Sequence, residues 1–267
     1  MTAPAAPSLA ESRRRLITDS LGIAASAVAF GFVYGLAAQR AGFSPIDAAA
    51  MSVLVFAGAA QFAAVGYIVG GLAWPAIVVL TGLLNARHLL YSAALAPWLR
   101  DVPLVRRAVM AHLLTDEAFA LSIAHFTRIG RTDERGYWIA AVGATAIPWN
   151  VATLAGALAG QQIPSPERFG LDIVFPAAMV GLAAGLLAGR REVVAAIAGA
   201  IIGVGVALAV APSVGIIAGG VLGPLVGLVV PRRPADAETE LGSRDSAARF
   251  SMPGGVHRSS VDRDAAP

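Results

Sequence analysis

Hydrogen-bonding side chains recur along residues 81–92 at the spacing of an α-helix, inside an apolar segment that runs from Pro75 to Trp98. At about 100° per residue they form one stripe of that helix. The stripe consists of Thr81, Asn85, His88 and Ser92, with Arg87 and Tyr91 along its edge. If the segment crosses a bilayer, these groups lie within it, where they can contact a polar solute or another helix.

Arg87 is the most costly of these groups, because it would lie near the midplane of the bilayer. A charged side chain at that depth costs about 2.5 to 3.5 kcal/mol on insertion scales unless it is paired or hydrated. Ionisable groups inside membrane spans therefore either take part in function or hold the helices together.

Two further ionisable residues, Asp116 and Glu117, fall inside a predicted span away from its ends. One face of that span, from which Glu117 points away, consists of His112, Thr115, Asp116, Phe119 and Ser122. The simplest neutralisation of Arg87 is an ion pair with Asp116 across a helix interface, with His88 nearby. The pair is either structural or part of a polar path in which Asp116, or alternatively Glu117, takes up a proton.

Gln61 and Asn150 are uncharged polar residues beside the helix-weakening residues Gly58 and Pro148. Interrupted helices in mid-membrane expose backbone groups and half-helix dipoles that suit the carboxylate and ammonium of a zwitterion. We therefore predict a substrate site formed by Gln61, Asn85 and the interrupted span around Asn150. The alternative for Gln61 and Asn150 is an interhelical hydrogen bond with a kink.

Two secondary candidates, His112 and Asp172, have simpler explanations. Asp172 stands at the start of a predicted span, where a carboxylate stabilises a helix N-terminus. His112 and Asp116 have the i, i+4 spacing of two metal ligands, but no H-E-x-x-H pattern and no obvious third ligand accompany them. The sequence also has no Walker-type or dinucleotide glycine motif. We therefore predict no metal, no cofactor and no catalytic residue.

The composition indicates the class of protein. Of the 267 residues, 57% are hydrophobic and 14% charged, and the mean hydropathy is +0.69. Apolar runs of about 20 residues recur, which is the length of a helix that crosses a bilayer. The chain is therefore predicted to be an all-α polytopic membrane protein. The positive-inside rule explains its pI near 9.9 more simply than nucleic-acid binding does.

Eight membrane spans are predicted, or seven or six if the polar fourth span is re-entrant or the last two merge. Their approximate bounds are 21–38, 47–69, 75–98, 108–126, 137–160, 171–189, 193–210 and 214–230. Residues 1–20 are then a polar N-terminal segment, 21–230 the transmembrane domain, and 231–267 a disordered tail. Arginine is more frequent in the loops on the side of the two termini, so both termini are predicted to be cytoplasmic.

Glycines recur at every fourth residue in the last three spans. They are Gly181, Gly185 and Gly189; Gly199 and Gly203; and Gly215, Gly219, Gly223 and Gly227. Such bare helix faces allow close helix contact. They either pack against each other within the chain or dock a partner subunit.

Four stretches of the sequence together resemble the AzlC family of branched-chain amino acid permeases. They follow one another in the family's order within residues 20–230: GFVYGLAAQRAGFSPIDAAAMSVLVFAGAAQF, LLNARHLLYSAALAPWL, HLLTDEAFAL and FGLDIVFPAAMVGL. The N-x-R-H-x-x-Y and T-D-E elements make the resemblance specific. By position, the motif residues are Gln61, Asn85, Arg87, His88, Tyr91, Asp116, Glu117 and Asp172.

This resemblance implies a multi-pass secondary transporter of the bacterial inner membrane that exports branched-chain and similar neutral amino acids. It also implies a small membrane partner of the AzlD type. We expect the proton to be the coupling ion, with Asp116 as the protonation switch tuned by Arg87 and His88. Two rival classes stay open: a non-transporting membrane scaffold, and an intramembrane enzyme that uses His88, His112 and Asp116.

Overall fold

The structure, a computed structural model, describes residues 8–162, 177, 180–181, 187 and 189–231. Every regular element within these residues is helical. In chain order the elements are α1 (Leu9–Arg40), α2 (Pro45–Val55), α3 (Gly58–Val69), α4 (Trp74–Asn85), α5 (Arg87–Leu95), α6 (Leu104–His112), α7 (Asp116–Ile129), α8 (Glu134–Trp138), a π-helical segment (Ile139–Ala146), α9 (Ile147–Gln162), α10 (Arg190–Ala209) and α11 (Pro212–Val229). Most of the predicted sixth span, and the predicted tail from residue 232 onwards, lie outside the described residues.

Five helices in the described part of the chain are long and apolar enough to cross a membrane, judged by length and composition. They are α1, α4 with α5, α8 and α9 with the π-helical segment between them, α10 and α11. These helices correspond to the first, third, fifth, seventh and eighth predicted spans. The prediction of an all-helical polytopic membrane protein is therefore confirmed, whereas the number of spans and the side of the termini stay predictions.

The helix α1 begins well before residue 21, where the first span was predicted to start. A capping box starts it: Ser8 Oγ accepts from the Glu11 N–H at 3.3 Å, and the Glu11 carboxylate accepts from the Ser8 N–H at 2.9 Å. Ser12 and Leu16 are each only 1% exposed. Residues 9–20, predicted as part of a polar terminal segment, are therefore helical and packed.

Two of the predicted spans are each divided into two shorter helices. The span 47–69 is interrupted between α2 and α3, where Phe56 adopts left-handed dihedral angles (φ 33°, ψ 51°). The span 108–126 is interrupted between α6 and α7, and Thr115 caps α7 by accepting from the Ala118 N–H at 3.2 Å. Thr115-Asp116-Glu117 is therefore a helix N-terminus, with two acids in the first turn where the helix dipole favours them.

The third and fifth predicted spans contain milder irregularities. Between α4 and α5 the Ala86 N–H bonds to the Leu83 carbonyl at 3.1 Å, three residues back, which tightens one turn. Ahead of α9 the chain forms π turns, in which the Ile147 N–H bonds to the Val142 carbonyl, five residues back. Pro148 follows as the second residue of α9, and the helical backbone continues through it although proline lacks the N–H of a helical hydrogen bond. The predicted weakening at Pro148 is therefore a widened helix and not a break.

Glycines allow the backbones of two helix pairs to approach closely. A Cβ on Gly31 of α1 would lie 2.7 Å from the Trp149 carbonyl oxygen of α9. In the hairpin of α10 and α11, a Cβ on Gly219 would lie 2.5 Å from the Gly199 carbonyl oxygen. The glycine face predicted on α11 is therefore covered by α10 within the chain.

Candidate functional site

A cavity of about 490 Å³ lies where the divided helices meet. Its apolar lining includes Ile23, Ala27, Phe30, Phe56, Phe62 and Trp149. Its polar lining includes Arg87, His88, Tyr91, Thr115, Asp116 and Glu117. The cavity thus has the size and mixed character of a small-molecule site, which is typically apolar with a few converging polar groups.

The predicted ion pair between Arg87 and Asp116 is present at the wall of this cavity. Arg87 Nη2 lies 3.0 Å from Asp116 Oδ2, and the two side chains are 20% and 41% exposed. The pair is incompletely satisfied, because Arg87 Nε and Asp116 Oδ1 are buried atoms for which the described residues provide no hydrogen-bond partner. Each charge therefore keeps hydrogen-bonding capacity for a ligand or for water.

His88 and Tyr91 extend the polar wall along α5. His88 Nδ1 lies 3.0 Å from the Asn85 carbonyl oxygen. A carbonyl only accepts, so Nδ1 donates in this bond. Tyr91 is held by Phe119 of α7, whose ring stacks on it at 4.6 Å.

Two helix N-termini also reach the cavity. Gly58 and Ala59, the first residues of α3, line it, and Ala57 provides no side-chain cap for them. The first N–H groups of a helix have no partner within the helix, and its dipole places partial positive charge there. Asp116 and Glu117 begin α7 on the same cavity. The site thus combines cationic donors with carboxylates, as binding of a zwitterion requires.

Several predicted site residues lie away from the cavity lining. Gln61 is fully buried, and its two amide atoms lack a hydrogen-bond partner in the described part of the chain. Asn150 Nδ2 donates to the Ala146 carbonyl at 2.8 Å, at the end of the π-helical segment. Asn85 ends α4 beside the polar wall, and its Oδ1 is buried. His112 Nε2 donates to the Val53 carbonyl at 2.9 Å, which joins the ends of α6 and α2. Asp172 lies outside the described residues.

Sequence reasoning missed the aromatic wall of the cavity, formed by Phe30, Phe56, Phe62 and Trp149 and supported from behind by the buried Tyr34. The Trp149 ring stacks on Tyr34 at 6.1 Å and meets Phe62 edge-on at 6.2 Å, while Tyr34 and Phe62 meet edge-on at 5.6 Å. One sequence signal could have indicated it. Tryptophan in membrane helices is enriched at the two interfaces, whereas Trp149 lies near the middle of a predicted span.

A second polar cluster, also missed, joins α1 to the loop between α7 and α8. Arg13 binds Asp133 with two hydrogen bonds of 2.7 and 2.5 Å, and His125 Nε2 donates to Asp133 at 2.9 Å. The Ser12 hydroxyl bonds to His125 Nδ1 at 3.0 Å. Gly136 leaves room for the His125 ring, since a Cβ there would lie 2.6 Å from Cδ2. The sequence gives little indication of this cluster, because Arg13 and Asp133 are 120 residues apart.

The charge of Asp133 is strongly stabilised. The Arg13 guanidinium holds the pKa of this carboxyl well below its usual range, helped by hydrogen bonds from His125 and from the Gly136 N–H, although burial acts in the opposite direction. The set resembles a Ser-His-Asp triad in composition only. Catalytic serine bonds to Nε2 and the aspartate to Nδ1, whereas here the two nitrogens are exchanged and Ser12 is buried.

A bound metal ion needs several converging ligands. Over the described ranges, no group of three or more His, Asp or Glu side chains is arranged to hold a metal ion. The His112 and Asp116 pair, which has metal-ligand spacing, is used differently. His112 bonds to a backbone carbonyl of α2, and Asp116 pairs with Arg87.

Comparisons with known proteins agree with these observations. Residues 22–163 match the family model described as AzlC protein. They are more than half of the sequence. The chain is 31% identical over 165 residues to "Inner membrane protein YgaZ" of Escherichia coli, covering 60% of this chain and 66% of the relative. It is 34% identical over 136 residues to an "Uncharacterized membrane protein" of Archaeoglobus fulgidus, covering 50% and 60%.

A further relative is the "Branched-chain amino acid transport protein AzlC" of Bacillus subtilis, 28% identical over 153 residues, which are 56% of this chain and 58% of the relative. The chain thus spans slightly less than two thirds of the length of these curated relatives. No solved structure matches it. The predicted membrane localisation is confirmed by the span-length apolar helices and by the membrane proteins among the relatives. With its family match extending from α1 to the end of α9, the chain belongs to the AzlC family.

Proposed function

We propose that the protein is a secondary transporter that exports branched-chain and related neutral amino acids, coupled to protons and working with a small AzlD-like membrane subunit. The observation that carries the proposal is the cavity, which joins Arg87 and Asp116 to an aromatic wall at the interruptions of two spans. Family membership and the printed name of the Bacillus subtilis relative support the same substrate class.

The charges around the cavity suit the two ends of an amino acid. The carboxylate binds at Arg87 and the uncapped N-terminus of α3, where donors and partial positive charge converge. The ammonium group binds at Asp116 and Glu117, which begin α7. The side chain lies against the aromatic wall. A hydrophobic side chain gains from the loss of water contact there, which accounts for a preference for apolar substrates.

The incomplete ion pair provides a coupling mechanism. While Asp116 is charged, it attracts the substrate ammonium, and Arg87, whose Nη2 lies 3.0 Å from Asp116 Oδ2, attracts the carboxylate. Protonation of Asp116 removes the attraction for the ammonium and favours release of the substrate. Loss of the proton restores the carboxylate for the next substrate. Proton binding and substrate binding then exclude each other, which is the thermodynamic condition for exchange and lets an inward proton gradient drive export.

The proposal is tested with purified protein in liposomes, with and without a co-encoded small membrane protein. Labelled leucine and valine are followed under an imposed proton gradient and after its collapse. Gradient-dependent movement of both amino acids is expected. A preparation that stays folded and assembles with the small protein, yet moves no neutral amino acid, would establish the scaffold alternative instead.

A further inference from the structure

We infer that Trp149 determines how large a substrate side chain the cavity accepts. This inference rests on the proposed function and deepens it, since it assigns specificity to one residue of the apolar wall. The sequence pattern favoured the neighbouring residue, Asn150. Asn150 lies outside the cavity lining, whereas Trp149 is part of it.

The Trp149 ring lies directly over the start of α3. A Cβ on Gly58 would lie 2.8 Å from Cη2 of this ring and 3.3 Å from Cζ2 and Cζ3. Gly58 is the first residue of the helix whose N-terminus faces the cavity. A substrate that binds its carboxylate there has its Cα, and the first atoms of its side chain, beside the six-membered part of the indole.

The position of the ring is fixed from several sides. Its backbone packs on α1, where a Cβ on Gly31 would meet the Trp149 carbonyl oxygen at 2.7 Å. The ring stacks on Tyr34 with an interplanar angle of 22° and meets Phe62 at 84°. Tyr34 and Phe62 are fully buried, so neither can move aside without opening the core. By contrast Phe30, another aromatic residue of the lining, is 37% exposed and has room to rotate.

The backbone before Trp149 also sets its direction. The π-helical segment Ile139–Ala146 ends three residues earlier, and a π turn holds about one residue more than an α turn. Each extra residue rotates the following side chains by about 100° around the helix axis. Irregular turns of this kind occur often at functional sites, and here the turn precedes the residue that closes the cavity.

The test compares initial rates for phenylalanine, leucine and valine in proteoliposomes containing the wild type, Trp149→Phe or Trp149→Leu. Removal of ring volume is expected to raise the phenylalanine-to-valine ratio by about tenfold or more for Trp149→Leu, because apolar pockets discriminate by about 10 to 200-fold per methylene. Trp149→Phe, which keeps an aromatic wall and is the milder change, is expected to shift the ratio less in the same direction.

Trp138→Leu is the matched control, since Trp138 lies in the same span, packs edge-on against Tyr137 at 5.7 Å and is absent from the cavity lining. Its substrate ratio should equal that of the wild type. Transport by all variants with an unchanged ratio would overturn this inference alone. Failure of the wild type to move any neutral amino acid would overturn the proposed function and the inference together.

Discussion

Two Arg–Asp pairs, one at the start of helix α7 and one in the loop after it, differ in how completely their hydrogen bonds are satisfied. Asp133 is 6% exposed in its side chain, binds Arg13 at two atoms and also accepts from His125. Asp116 is 41% exposed, contacts Arg87 through one oxygen and leaves Oδ1 without a hydrogen bond in the described structure. Both pairs have the same chemistry, but the Asp133 carboxylate is buried with both oxygens hydrogen-bonded, whereas the Asp116 carboxylate borders a cavity.

This difference separates a structural role from a mechanistic one. A buried and saturated pair can change partners only by leaving a charge uncompensated, which is strongly unfavourable in a medium of low dielectric constant. A pair at a cavity wall can exchange its partner for a ligand or a proton at much lower cost. We therefore expect Asp133 to act in folding and Asp116 in transport, and the following substitutions test that assignment.

The largest effect is expected from Asp116→Asn. The amide cannot take up and release a proton, so gradient-driven valine transport in proteoliposomes should be lost. Stability should change less than on loss of the Asp133 charge, because the pair borders a cavity in which water can hydrate the remaining Arg87 charge. Thermal unfolding of the detergent-solubilised protein gives the second measurement. Normal coupled transport by this variant would refute Asp116 as the protonation switch.

The second largest effect is expected from Asp133→Asn, on stability. Removing one partner of a buried pair typically costs about 3 to 5 kcal/mol, and the cost here should be at the low end because Arg13 is 27% exposed. The melting temperature in detergent should fall clearly, and transport should fall only as far as folded protein is lost. A fully stable Asp133→Asn protein without transport would reverse the proposed roles of the two pairs.

The sequence predicted those structural features that depend on a short stretch of neighbouring residues. Long apolar runs are local, so the span-length helices were found, and Arg87 could be paired with Asp116 because a charge in a span needs a partner. Thr115-Asp116-Glu117 is also a local signal, an N-cap followed by acids, but it was assigned to the middle of a continuous span.

Other features depend on tertiary structure and have no local signal. Phe56 occupies a left-handed conformation that the sequence does not favour, since glycine or asparagine is usual there. The packing of Trp149 against Gly58 and the bond between Arg13 and Asp133 join residues far apart in the chain. These contacts are decided by the packing of α1, α3, α7 and α9, which no periodicity in the sequence reveals.

A smaller effect is expected from acid. The folded-state pKa of Asp133 is lowered, so its contribution to stability is complete above the ordinary aspartate pKa of about 3.9 and is lost as pH falls from there towards the folded-state value. The difference in melting temperature between the wild type and Asp133→Asn should therefore be constant near neutral pH and should narrow below about pH 4. If the difference in melting temperature instead widens on acidification, Asp133 is not the group whose loss of charge destabilises the wild type.

The smallest effect on stability is expected from Ser12→Ala. Ser12 belongs to the buried cluster through its hydrogen bond to His125, which in turn bonds to Asp133. His125 Nε2 donates to the Asp133 carboxylate, its Nδ1 shares a hydrogen bond of 3.0 Å with the Ser12 hydroxyl, and both His125 and Ser12 are buried. Loss of the hydroxyl leaves Nδ1 without its hydrogen-bond partner and should cost about 1 to 3 kcal/mol of folding free energy.

Ser26→Ala is the matched control on the same helix. Ser26 is exposed and bonds only to the Ile23 carbonyl one turn back, so its loss should cost less than about 0.5 kcal/mol. Since Ser26 lines the cavity and Ser12 does not, any change in transport without a change in melting temperature should appear in Ser26→Ala and not in Ser12→Ala. The opposite result, with Ser12→Ala altering transport at unchanged stability, would show that the buried cluster takes part in the transport cycle and that saturation of hydrogen bonds does not distinguish the two pairs.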